Sequence, residues 1–186
     1  MVNNAAFEEE VKEHFLFLVT DYGFRLNLIN HVASANYIKF ESKEVFVYVF
    51  YGPPSFEVGM CFGRIGIDDL RGTNTFGPGD LILLYPTWSW NPKGGTVAEF
   101  ARCLRECGSE CLKGDQLVFA QMKKTRETRN QKWRQEERIK KVRQDADDAW
   151  RQKKYDKVVE LYESIGTVLK GSESKKLSYA RKHLKI

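Results

Sequence analysis

Cys103, Cys107 and Cys111 recur at a spacing of four and are the most regular chemistry-bearing pattern in the chain. On a helix, a spacing of four brings two thiolates together. Three in a row spread over about 12 Å at a rise of ~1.5 Å per residue. One zinc ion with Zn–S bonds near ~2.3 Å does not span that without distortion. Cysteine is also among the most buried residue types. The three are therefore read as the inward face of a helix, with a metal or redox role as the alternative. His14, His31 and His183 have no second histidine or carboxylate four residues on, so no two-histidine metal motif arises locally. They read as surface or helix-face residues.

Other catalytic patterns are missing from the sequence. There is no Gly-x-x-x-x-Gly-Lys-Ser/Thr, no Gly-x-Gly-x-x-Gly and no Gly-x-Ser-x-Gly. Gly63–Gly66 and Gly77–Asp80 read as turns. The neighbouring carboxylates of Asp68 and Asp69 diverge on most backbones, which suits a solvated acidic turn better than an acid/base pair. Trp88-Ser89-Trp90 stands between Pro86 and Pro92. Its rings either cap the core or form a binding hot spot on a loop. Trp133 sits alone between Lys132 and Arg134 and is expected to anchor its helix to the domain, with partner contact as the alternative. No catalytic residue, metal or cofactor is expected.

The elements that position these residues follow from periodicity. Phe7, Val11, Phe15 and Leu18 mark one apolar face, which predicts a helix over 7–19 ending at Gly23. Weakly alternating residues 24–31, then Tyr37–Phe40, Val45–Tyr51 and Phe56–Ile65, read as four sequential strands with a turn at Glu41-Ser42-Lys43. Short connections favour an antiparallel meander, with the first helix on one face. Val45–Tyr51 is too apolar to have a wet face along its whole length. Leu81–Tyr85 fits a short helix or a strand equally. Thr96-x-x-Glu99 is a capping box that opens a helix carrying Phe100, Leu104, Cys107 and Cys111 on one face, ended by Gly114. Leu117–Trp150 reads as one long helix, with expected i,i+4 pairs Glu136–Lys140, Glu137–Lys141 and Asp147–Arg151. The fold class is α+β: an antiparallel sheet with packed helices over 1–114, a long basic helix over 115–150, and a helical hairpin over 151–186.

The 186 residues carry 30 Lys/Arg and 25 Asp/Glu, but unevenly. Residues 1–100 hold 7 and 12, whereas residues 101–186 hold 23 and 13. The basic part reads as a solvated helix, with steering of oppositely charged partners as the alternative. No apolar run approaches the roughly 18 residues that span a bilayer. The acidic start has no basic and apolar leader pattern, and the cysteines do not form a secreted disulfide framework. A reducing, cytoplasmic location without membrane association is expected.

The stretch from Ala149 to Glu163, with Tyr155, Val158 and Tyr162, resembles the turn and second helix of a tetratricopeptide repeat. Val158 takes the place of the family's usual small residue. About one repeat is present, and roughly three are needed to bury a continuous core, so a docking hairpin is expected rather than a solenoid. As a whole the chain resembles small bacterial proteins found beside polymorphic and contact-dependent toxins. The cues are Phe15-Leu16-Phe17-Leu18 with Tyr22-Gly23-Phe24, the hairpin strands, Cys111-Leu112-Lys113-Gly114-Asp115 and the tail 149–184. The resemblance implies an immunity protein: a non-catalytic protein-binding module that occludes a cognate toxin domain. The candidate contact residues are Asp68, Asp69, Trp88 and Trp90. The alternative is a nucleic-acid-associated accessory protein that binds through the basic helix 123–143, with Lys123, Lys124, Arg126, Arg129, Lys132 and Arg134 on phosphates.

Overall fold

The computed structural model describes residues 4–32, 35–52, 57–68, 75–86 and 95–184. They pack as two compact units, Met1–Arg126 and Glu127–Ile186. The long helix, read from the sequence as a segment of its own, lends its first turns to one unit and the rest to the other.

The first unit is the expected α+β arrangement. Helices α1 (Asn4–His14) and α2 (Leu16–Tyr22) precede strands β1 (Arg25–Val32), β2 (Ala35–Glu41), β3 (Val45–Gly52) and β4 (Glu57–Arg64). The strands form one antiparallel sheet in the order β1-β2-β3-β4. Ser42 closes the β2–β3 turn: its hydroxyl accepts from the Val45 amide at 3.0 Å, and its own amide donates to the Val45 carbonyl at 2.9 Å.

The expected single helix over 7–19 breaks at Phe15. The Leu18 amide donates to the Phe15 carbonyl at 3.0 Å, a tighter three-residue step. A straight helix would turn Phe17 away from Phe15 by about two residues of rotation. The break lets both rings enter the core, stacked 6.2 Å apart, with Phe15 also 6.0 Å from Phe40. Gly23 ends α2 in the left-handed region at φ 68°, where a glycine carries no steric cost.

Helix α3 (Pro78–Leu84) resolves the open choice at Leu81–Tyr85 in favour of helix. Pro78 fits its first turn, where the missing N–H costs nothing. The capping box of Thr96 and Glu99 opens α4 (Val97–Cys107) as expected: the Thr96 hydroxyl accepts from the Glu99 amide at 3.2 Å, and Glu99 accepts from the Thr96 amide at 2.9 Å. That helix stops earlier than Gly114. Gly108 interrupts it, and a short α5 (Ser109–Leu112) follows before Gly114 turns at φ 79°.

One buried cluster joins Phe7, Val11, Phe15 and Leu18 to the inner sheet residues Ile38, Phe40, Val45, Val47, Val49, Met60 and Phe62. Phe100, Leu104, Phe119 and Met122 complete it from α4 and from the start of α6 (Gln116–Arg151).

The second unit comprises the rest of α6, α7 (Tyr155–Glu163), a 3-10 turn (Gly166–Val168) and α8 (Gly171–Leu184). Its own buried cluster is Ala146, Ala149, Val158, Val159, Tyr162, Ile165, Leu177 and Ala180. Glu173 caps α8 by accepting from the Lys170 amide at 2.7 Å, and pairs with Arg143 of α6 at 2.9 Å. Asp147 does not pair with Arg151 as expected. It accepts from Lys176 at 2.6 Å and from the Tyr162 hydroxyl at 3.2 Å. Arg151 turns to Asp148 at 3.3 Å, and Glu137 pairs with Lys140 three residues on at 3.6 Å. No described helix is long and apolar enough to cross a membrane.

Candidate partner-binding surface

Strand side chains alternate between faces, so the residues that do not enter the core of the first unit share the opposite face of the sheet. These are Tyr37 and Lys39 on β2, Phe46, Tyr48 and Phe50 on β3, and Gly59, Cys61 and Gly63 on β4. The register sets Tyr37 beside Phe50 and Gly59, Lys39 beside Tyr48 and Cys61, and Phe46 beside Gly63. Phe46, Tyr48 and Phe50 belong to neither buried cluster.

The two glycines shape this face. A Cβ on Gly59 would collide with the Phe50 ring, and one on Gly63 would come within 2.8 Å of the Phe46 ring. The absence of those carbons lets the rings lie flat across β4. Phe46 and Tyr48 meet edge to face at 5.7 Å, and Tyr37 stands 6.3 Å from Phe50. Lys39 spans the face, its ammonium 5.4 Å from the Tyr48 ring and 6.0 Å from the Phe46 ring, and is paired with Glu41. Burial opposes its charge, but Glu41 and Tyr48 outweigh that and hold its pKa above the ordinary lysine value. Phe46 and Tyr48 are largely buried, so the accessible end is Tyr37, 38% exposed, with half-buried Phe50 beside it.

Asp68 lies at the margin of this face, its Cβ close to where a Gly63 side chain would stand. Its carboxylate accepts from the Arg64 amide at 2.8 Å and from the Arg64 Nε at 3.3 Å, so it closes the turn after β4. The other residues singled out with it, Asp69, Trp88 and Trp90, lie outside the described residues.

The basic residues of α6 divide into two kinds. Lys123, Lys124, Arg129, Lys132 and Arg134 are exposed. Arg126 is engaged in the first unit: its Nε donates to Asp80 at 2.9 Å, an Nη donates to the Thr75 carbonyl at 2.7 Å, and the guanidinium lies 4.5 Å from the Phe76 ring. Trp133 departs from the expected anchoring role and is 60% exposed.

Cys103, Cys107 and Cys111 are buried in the first unit's core without disulfides. Burial pushes Cys103 and Cys111 up to about 12 and Cys61 to about 11. Thiolate is the reactive form, so the folded protein should leave these thiols unmodified by a thiol-specific disulfide reagent at pH 8. All four should react once denatured, and fast native labelling of the helix cysteines would contradict their packing. Among the described residues, no group of three or more His, Cys, Asp or Glu side chains is arranged to hold a metal ion.

Comparison with family models, with curated proteins and with solved structures gives no match.

The aromatic face was partly readable in advance. The unbroken apolar run of β3 signals that both of its faces need cover. The glycines at 59 and 63, two strand repeats apart on β4, gain their meaning only from the register that sets them under Phe50 and Phe46.

Proposed function

We propose that this protein is a non-catalytic module that binds another protein, and that the aromatic face of its sheet makes the contact. The observation that carries the reading is the exposed Tyr37 ring against half-buried Phe50, the accessible end of an aromatic face whose other rings, Phe46 and Tyr48, are buried outside both clusters. Large aromatics on rigid elements supply contact area at low entropic cost and dominate binding energies. Neutralisation of a toxin by occlusion is the sharpest form of this reading. It rests on the likeness in layout to immunity proteins, and the partner would be the product of the adjacent gene.

The test is co-purification with that product, then Tyr37→Ala and Phe50→Ala. Each substitution should weaken the complex by ten-fold or more, as hot-spot truncations do. Gly59→Val should do the same by displacing the Phe50 ring. A complex of undiminished affinity in all three variants would rule out this face as the contact surface.

The nucleic-acid alternative draws on the exposed Lys123, Lys124, Arg129, Lys132 and Arg134. It is the weaker reading, because Arg126 is spent on Asp80 and acidic residues interrupt the run further along the helix. Phosphate binding would have to fall steeply with salt.

A further inference from the structure

Four rings from three helices meet in the second unit. Trp150 lies in the last turn of α6, Tyr155 opens α7, and Tyr179 and His183 stand one turn apart on α8. Tyr179 is 5.3 Å from Trp150, 5.9 Å from Tyr155 and 4.4 Å from His183, and His183 stacks on Tyr155 at 4.8 Å. Trp150 and Tyr155 pack against the unit's buried cluster. Tyr179 and His183 do not belong to it: Tyr179 is 47% exposed, and His183 is exposed as well. Around α8, His183 and Lys176 flank Tyr179 on the side that meets Tyr155 and Trp150. Lys175 and Lys182 lie about 40° and 60° from Tyr179 on the opposite side. With Ser174 and Ser178 they line a shallow depression beside the Tyr179 ring.

We propose that the second unit binds single-stranded nucleic acid, with the Tyr179 ring stacking on an unpaired base and Lys175 and Lys182 taking the phosphates on either side. The charge around the rings argues for an anionic ligand. Residues 149–186 hold ten Lys/Arg against four Asp/Glu. Arg151, Lys176 and Arg181 are paired with Asp148, Asp147 and Glu163. Lys153, Lys154, Lys175 and Lys182 are exposed and enter no ion pair among the described residues. Of the carboxylates, Glu163 and Glu173 are taken by Arg181 and Arg143. Asp156 and Glu160 lie about 100° and 140° around α7 from Tyr155, so they turn away from the rings. Lys153 holds a left-handed backbone at φ 57°, which glycine or asparagine adopts at lower cost. What lysine brings there is its charge, two residues before Tyr155. The spacing on α8 then selects the ligand. Lys175 precedes Tyr179 by about 6 Å along the axis and Lys182 follows it by about 4.5 Å. A planar group between two cations suits a chain in which bases and phosphates alternate, and a base of any kind offers a face to an aromatic ring. An acidic peptide supplies the charge but no plane for Tyr179, and a duplex keeps its bases stacked within itself.

Fluorescence anisotropy of a labelled oligothymidylate with the full chain, in about 50 mM salt, should show binding that weakens as salt rises, with a logarithmic slope of about −0.7 per phosphate neutralised. Tyr179→Ala should weaken it about ten-fold, and Tyr179→Phe, which keeps the ring, should bind like the parent. Lys175→Ala with Lys182→Ala should make the slope shallower by about 1.4. Circular dichroism of each variant should match the parent, since all three side chains are exposed. No binding at low salt, undiminished affinity in Tyr179→Ala, or equal affinity for a duplex of the same length would each overturn the proposal. Binding lost on neutralising Arg129, Lys132 and Arg134 but kept in Tyr179→Ala would return the contact to α6. Polyglutamate that displaces the oligonucleotide at equal charge would assign the surface to an acidic protein instead.

Discussion

Asp80→Ala should lower the stability of the first unit by about 3 kcal/mol, the range found when one member of a largely buried ion pair is removed. Asp80 is 7% exposed and serves two elements at once. One oxygen accepts from the Gly77 amide at 2.9 Å and caps α3, and both oxygens engage Arg126 of α6. Alanine leaves the guanidinium against the Phe76 ring and the Thr75 carbonyl with no counter-charge, in a place that water reaches poorly. The Gly77 amide also loses its partner, a further cost of about 1 kcal/mol. Asp80→Asn is the discriminating control. Its amide oxygen can still take the Gly77 amide, so it should restore the cap and leave only the charge loss. For a unit of this size the alanine variant should melt about 10 °C lower. Arg126→Met in the same background should recover part of the loss, because a flexible apolar side chain replaces the stranded cation. A fall of less than about 1 kcal/mol in Asp80→Ala would mean that the pair behaves as an exposed one.

That ion pair also marks the limit of what the sequence discloses. Asp80 and Arg126 are 46 residues apart, and nothing in the neighbourhood of either distinguishes them from surface charges. Arg126 reads instead as one of six phosphate-binding cations. Local signals did carry the strands, the Ser42 turn, the capping box at Thr96, the Gly23 cap and the long helix, since each depends on residues within a few positions of one another. Breaks inside helices were not legible. Phe15 and Gly108 interrupt runs whose periodicity reads as continuous, because the benefit of the break, burying Phe17 in one case and turning to α5 in the other, is realised only against the assembled core. Trp133 shows the same gap from the opposite side. A lone tryptophan in a polar helix suggests an anchor, and only the position of the second unit's core on the far side of α6 shows that the ring faces solvent. Among the sites proposed from sequence, Asp68 sits in the turn at the margin of the aromatic face, with its carboxylate held by Arg64. The face itself depends on a register that no single strand encodes.

Tyr162→Ala should unfold the second unit while leaving the first protected. Tyr162 is fully buried, and its truncation costs about 3–5 kcal/mol from lost transfer energy and the cavity left behind. A unit of this length has a small core that rarely supplies more than about 3–5 kcal/mol in total. One such deletion therefore consumes its stability. Hydrogen exchange reads this directly: the amides of α7 and α8 should lose protection, and those of β3 and β4 should keep it. Tyr162→Phe preserves the packing and removes only the 3.2 Å hydrogen bond to Asp147, so about 1 kcal/mol should be lost and the unit should stay folded. Acid should act on the same junction. The Lys176 hydrogen bond holds the Asp147 carboxyl below its ordinary value of 3.8, against the opposing effect of its partial burial. A depressed carboxyl contributes stability that is present above the unfolded value and lost as pH falls through the folded one. The second unit should therefore loosen below about pH 4, where Lys176 and Tyr162 lose their charged acceptor. Retained protection of α7 and α8 in Tyr162→Ala would mean that the unit does not depend on its largest buried side chain. The hairpin's stability would then have to come from the α7–α8 contact alone.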